Sequence, residues 1–120
     1  AAEIAKLFAD SGTLIICSFI SPFRKDRQMA RAIAPNFFNN IHIKADLQTC
    51  IDRDPKGLYQ KAQKGEIKNL TGFNDTYEEP KNPELTIDTT KNNLEESVEL
   101  LYSYILRNFS LKENIPINWY

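Results

Sequence analysis

One short apolar run constrains the fold of this chain most: Leu14-Ile15-Ile16-Cys17-Ser18-Phe19. A run this short and this continuously apolar suits a strand covered on both faces, as in a parallel sheet. Breakers bracket it, with Gly12 before it and Ser21-Pro22 after it. Ahead of it, Ala1, Ile4, Ala5 and Phe8 recur at helical spacing and predict a helix over 1–10, stopped by Gly12. Behind it, Asp26 to about Ala34 reads as a helix, with Asp26 near its positive N-terminal end. Ile41 to Ala45 alternates as a second strand, and Asp46 is placed to cap a helix over Leu47–Arg53. Gly57 to Lys64 is a further short helix ended by Gly65, and the turn formers between 69 and 83 predict a loop. Leu85 to Asp88 is a third strand. In the last helix Asn93 and Glu96 form a capping-box pair, and Leu94, Val98, Leu101, Tyr102, Ile105 and Phe109 form an apolar stripe. The tail Asn114–Tyr120, with two β-branched residues, a Pro and a Trp, is expected to pack, at a place the sequence does not specify. Helices alternating with strands give an α/β fold with a parallel sheet.

A chain of 120 residues holds one domain at most. Its 15 basic and 16 acidic residues balance to a net charge of −1, which argues against nucleic acid as a partner. A local basic cluster remains at Arg53, Lys56, Lys61, Lys64 and Lys68, and a solvated helix face is the plain alternative for it. Cys17 and Cys50 lie in apolar surroundings without metal-ligand spacing, and the single His42 is distant from both in sequence. They read as buried free thiols of a reducing compartment, and no metal site is expected. No apolar run approaches the roughly 20 residues that span a bilayer, and no signal peptide is seen. The expectation is a cytoplasmic protein with no membrane partner. The start, Ala1-Ala2-Glu3, reads as mid-helix.

Three segments carry chemistry. The first is Asp52-Arg53-Asp54-Pro55-Lys56-Gly57-Leu58-Tyr59 followed by Gly65-Glu66-Ile67-Lys68-Asn69-Leu70-Thr71-Gly72. Basic residues, a turn-forming Asp-Pro and a flexible Gly alternate there, as a flap that closes over a polyanion requires. The second is Ser18-Phe19-Ile20-Ser21-Pro22-Phe23-Arg24, and the third Ala2-Glu3-Ile4-Ala5-Lys6-Leu7-Phe8-Ala9-Asp10. Together they resemble the adenylylsulfate (APS) kinase family, in order and without large gaps, from residue 1 to about 110. The resemblance implies a P-loop kinase fold with a lid at about 53–77. Yet no G-x-x-x-x-G-K-[ST] occurs in the sequence. The expectation is therefore a partial domain over 1–120, the C-terminal two-thirds of the family's. Its P-loop strand and helix would be absent, its catalytic groups would lie upstream of Ala1, and Leu14–Phe19 would lack a strand neighbour.

The resemblance implies ATP and adenylyl sulfate as ligands. Ligands of an open α/β sheet bind beyond the C-terminal strand ends, where Ile20-Ser21-Pro22 falls. By resemblance, Ile20 and Ser21 line the APS site, and the serine matching Ser21 becomes a phosphoserine in some members. Lys56 matches the lid lysine that contacts APS, and Asn69 and Leu70 fall in its adenine-facing segment. Arg53 matches the arginine near the ATP adenine, and Thr90 and Asn92 the loop that approaches the ATP base. The plain alternatives are a strand-ending turn at Ser21 and surface ion pairs of Arg53 or Lys56 with Asp52 or Asp54. The family has Phe where this chain has Leu70, and Phe73 three residues on is the candidate to compensate. The implied activity is transfer of the ATP γ-phosphate to the 3′-hydroxyl of APS, with Mg²⁺ carried on ATP and its protein ligands outside this chain. The chain alone is expected to be inactive. The alternatives are a non-catalytic APS- or PAPS-binding or regulatory remnant, and a related kinase for another nucleotide-linked acceptor. A homodimer or a fusion with ATP sulfurylase fits the resemblance equally.

Overall fold

The structure, a computed structural model, describes residues 1–109. The expected packing of Asn114–Tyr120 falls outside the described residues. In chain order the elements are α1 (Ala2–Asp10), α2 (Arg24–Ile33), β1 (Ile41–Lys44), α3 (Leu47–Arg53), α4 (Leu58–Gln63), β2 (Leu85–Asp88) and α5 (Leu94–Asn108). The two strands pair in parallel, with Ile41 opposite Leu85 and Lys44 opposite Asp88. A parallel pair needs a long crossover, and here it comprises α3, α4 and the loop 64–84. No helix among the described residues is long and apolar enough to cross a membrane.

Local chemistry places the helix starts. The Asp46 carboxylate accepts from the Thr49 amide at 2.7 Å and opens α3. The capping box of α5 is complete, with the Glu96 amide on Asn93 at 2.9 Å and the Asn93 amide on Glu96 at 2.8 Å. Helix α2 begins at Arg24, two residues before the expected start, and Asp26 sits in its first turn. The entry to the sheet is pinned by Glu84. Its carboxylate accepts from the Asn40 amide at 2.6 Å and pairs with Arg31 at 2.6 Å. Burial alone would raise the Glu84 pKa, but these donors outweigh it and hold the carboxyl below its ordinary value. On the other side of the sheet entry, the Tyr104 hydroxyl of α5 donates to Asn39 at 2.5 Å.

The core is small. Ile87 of β2, only 1% exposed, lies at its centre, with Ala34, Ala62 and His42 also buried. Helix α5 packs on β2, and α1 on α2.

Two sequence expectations are corrected. Leu14–Phe19 forms no strand, and among the described residues it finds no ladder partner. A strand exists through the hydrogen bonds of its neighbours, so apolar content alone cannot make one. The run is consequently open, with Ile16 72% and Phe19 66% exposed, and the apolar stripe of α1 beside it is open too, with Ile4 61% exposed. Cys17 goes with the run and is exposed rather than buried, whereas Cys50 is half-buried.

Candidate functional site

The C-terminal ends of β1 and β2 gather three side chains around one loop. The Thr89 amide and hydroxyl both donate to the Lys44 carbonyl, at 2.7 and 3.1 Å. The Asp46 amide donates to the Thr90 hydroxyl at 3.1 Å. Arg53 then reaches across from the end of α3, donating to the Thr89 hydroxyl at 3.0 Å and to the Thr89 carbonyl at 2.5 Å. One edge of the guanidinium is thereby fixed, and its plane is set as a flat cationic surface, the form suited to stacking on a base. Asn92 closes the same loop through its amide, bonded to the Asp88 carbonyl at 3.0 Å. The Asp46 carboxyl lies below its ordinary pKa, chiefly through the Thr49 amide bond. Arg53, from the end of α3, thus bonds to the strand-end loop that carries Thr90 and Asn92.

The alternative for Arg53 and Lys56, surface ion pairs with Asp52 or Asp54, is not realised among the described residues. Asp52 accepts from the Gln48 side chain at 2.8 Å. Asp54 accepts from the Tyr59 and Gln60 amides at 3.2 and 3.0 Å. These are free amides in the first turn of α4, where negative charge is stabilised. Gly57 supplies the left-handed turn, φ +64°, that lets Asp54 reach them. Lys56, on that turn, is exposed and has no hydrogen bond or ion pair among the described residues.

Beyond α4 the lid folds on itself. The Leu70 carbonyl accepts from the Phe73, Asn74 and Asp75 amides, and the Leu70 amide donates to Asn74 at 2.6 Å. Leu70 is half-buried in this knot and Asn69 is exposed. Phe73 packs edge-on against Tyr59, centroids 5.9 Å apart. Phe73 is half-buried in this contact. The Tyr59 hydroxyl is pushed up in pKa, first by burial and then by Cys50 beside it.

The far end of the lid docks on the segment that holds Ser21. Ser21 has φ +41°, the left-handed region, a conformation that costs a non-glycine residue about 1–3 kcal/mol. Arg27 donates to the Ser21 carbonyl with one terminal nitrogen and to the Glu78 carbonyl with the other. The Glu78 amide donates to the Pro22 carbonyl at 2.8 Å. The Arg24 amide bonds the Glu78 carboxylate at 2.7 Å, and the Arg24 Nε bonds the Glu79 carbonyl at 2.8 Å. The Tyr77 ring lies 5.9 Å from the Arg27 guanidinium and stacks on His42 at 6.2 Å. Burial holds the His42 pKa below its ordinary value, Lys44 and Arg27 adding to the effect and Glu79 opposing it. The Ser21 hydroxyl has no partner among the described residues, and the Ile20 side chain is exposed.

Among the described residues, no hydrogen bond joins Lys56, Asn69 or Leu70 to the Ser21 or Arg53 cluster. Arg27, Tyr77, Glu78 and His42 were not singled out from the sequence. The basic Arg24 and Arg27, one turn apart on α2, were the available signal. Nothing in their spacing names a partner at the lid's far end. Two hollows flank the site. One of 280 Å³ runs between α2 and the segment after the lid, past Arg24, Arg31, Phe38 and Lys81. The other, 430 Å³ and apolar, opens between α1 and the Leu14–Phe19 run.

Known proteins resemble this chain throughout the described region. The family model for adenylylsulphate kinase matches residues 1–88. A probable adenylyl-sulfate kinase of Halalkalibacterium halodurans is 46% identical over 113 residues, 93% of this chain and 54% of the relative. The adenylyl-sulfate kinase of Bacillus licheniformis is 48% identical over 104 residues, 86% of this chain and 53% of the relative. The chain spans about half the length of the curated relatives it matches. Among solved structures, the Mycobacterium tuberculosis APS kinase CysC in complex with AMPPNP and APS matches with a TM-score of 0.74 at 36% identity. That match covers 84% of this chain and 60% of that one. The mixed helix and parallel-strand architecture is the one these kinases share.

Proposed function

We propose, for a chain that belongs to the adenylylsulphate kinase family, that it forms the acceptor and lid half of a kinase acting on adenylyl sulfate. In the reaction the 3′-hydroxyl oxygen bonds to the γ-phosphorus of ATP, the bond to ADP breaks, and the hydroxyl proton leaves. No base is assigned among these 120 residues. Ile20 and Ser21 form a wall of the APS site at the end of the apolar run, and Ser21 is the candidate phosphoserine. Lys56 supplies a mobile positive charge for the sulfate or phosphate of APS. Asn69 and Leu70 face the adenine of APS, Arg53 presents its flat face to the ATP adenine, and Thr90 and Asn92 border that base. The observation that carries the reading is Lys56: its neighbouring carboxylates are engaged elsewhere, so its charge is free for an anionic ligand.

Mg²⁺ enters as part of Mg-ATP. The described residues contain no group of three His, Cys, Asp or Glu that could hold a metal. The test is ADP release by the full-length gene product with Mg-ATP and APS, against the same mixture without APS. APS-dependent ADP release supports the reading, and none refutes it.

A second reading rests on Leu70. At that position the chain carries a leucine, and Phe73 packs edge-on against Tyr59. This favours a different nucleotide-linked acceptor, or APS binding without turnover. Substituting other adenylyl anhydrides for APS in the same assay separates the two.

A further inference from the structure

We infer that Arg27 is a positioning residue, whose guanidinium couples the backbone conformation of Ser21 to the docking of the lid's far end at Tyr77–Glu79. The inference rests on the reading of Ile20 and Ser21 as a wall of the acceptor site.

The argument starts from the shape of the guanidinium. It is a rigid planar fork, and two of its donors reach two carbonyls at once, Ser21 on one side and Glu78 on the other. Its position is set from beneath by the Tyr77 ring, itself stacked on the buried His42. Both carbonyls are therefore referred to one fixed object. The remaining bonds between the two segments run to Pro22 and Arg24, past Ser21. Among the described residues, Arg27 alone holds the Ser21 carbonyl.

Ser21 occupies an unfavourable region of backbone space at φ +41°, and a residue stays there only where its surroundings over-determine it. When the lid's far end lifts, Tyr77 leaves the face of the guanidinium and the Glu78 carbonyl leaves its edge. Arg27 is then free to swing away from Ser21, and Ser21 relaxes toward the extended region. The wall residue thus takes its shape only while the lid end is docked. By reciprocity, a ligand that holds Ser21 in place favours the docked lid end.

The test uses two variants of the full-length protein that approach the coupling from opposite sides. Arg27→Lys keeps the charge but replaces the fork with a point donor. Glu78→Ala removes the carboxylate that takes the Arg24 amide and loosens the lid end, leaving Arg27 intact. The readouts are the Ser21 carbon chemical shifts, the hydrogen exchange of the Glu78 amide, and calorimetric titration of APS in the presence of ADP. In both variants Ser21 shifts toward extended values, exchange of the backbone amide at position 78 accelerates locally, and APS binds at least fivefold more weakly. Unchanged Ser21 shifts in Glu78→Ala overturn the coupling, as does a uniform rise of exchange over the whole chain in Arg27→Lys. If Arg27→Lys does not fold, Glu78→Ala decides alone. If the unaltered protein binds no APS, the acceptor assignment fails, while the Ser21 and Glu78 readouts still decide the coupling.

Discussion

Arg53 holds Thr89 twice, through the hydroxyl at 3.0 Å and the carbonyl at 2.5 Å, and so ties the end of α3 to the loop that follows β2. The proposed lid begins where this tie ends. Its near end is therefore anchored to the sheet, and its far end is anchored to the Ser21 segment through Arg27 and Arg24. Between the two anchors Lys56 stands free among the described residues, and the self-bonded knot around Leu70 forms the tip.

Removing the Thr89 hydroxyl tests the near anchor. Thr89→Val keeps the carbonyl bond to Arg53 and the amide bond to Lys44 but deletes two hydroxyl bonds. A net loss of about 1 kcal/mol per bond at most is expected, a melting-temperature drop of several degrees. ATP affinity should fall alongside, because the Arg53 plane loses one of its two fixings. Thermal melts with and without Mg-ATP measure both effects.

Lys56→Ala should leave the melting temperature within a degree or two, because the exposed lysine has no partner among the described residues. Its lost charge-assisted contact should cost about 1.5–3 kcal/mol in APS use. The comparison is kcat/KM for APS in the full-length protein beside its melt. Full retention of kcat/KM makes Lys56 idle.

Leu70→Phe should tighten APS binding roughly five- to tenfold by adding a ring face for adenine. Phe73 is held by Tyr59 and does not compete for that place. Calorimetry of APS into both proteins, with ADP present, reads the gain. Equal or weaker binding shifts the acceptor assignment away from APS.

Acid should loosen the lid end through His42. The folded protein holds its pKa below the ordinary 6.5, chiefly by burial. The unfolded chain therefore takes up a proton first. Stability is full above about pH 6.5 and falls as the pH drops from there through the lowered folded value. Glu84, also lowered, adds a loss that begins only below its ordinary 4.5. Melts from pH 8 to 5 should show a decline that His42→Gln flattens. A parallel decline in that variant assigns the effect elsewhere.

The 120 residues by themselves should release no ADP from Mg-ATP and APS. No phosphate-cradling G-x-x-x-x-G-K-[ST] occurs among them, and that element carries much of the charge stabilisation in phosphoryl transfer. A coupled ADP assay on the purified chain checks this, and turnover above background refutes it.

Much of this protein is local, and the sequence alone determined that part. Asp46 and Asn93 cap their helices because a short acceptor side chain beside free amides acts within a few residues. The β1 and β2 spans and the family itself follow from such short-range patterns. Other features are relations between distant positions, and only the tertiary structure decided them. Leu14–Phe19 reads as a buried strand, yet it stays open, because pairing depends on a neighbour that no property of the run supplies. Lys56 is left free because Asp54 turned to the α4 amides, a choice between two nearby donors that composition cannot rank. Arg27 reaches both Ser21 and Glu78 because the crossover returns the lid's far end to the start of α2. A guanidinium can serve many acceptors, and the fold decides which two stand within its reach.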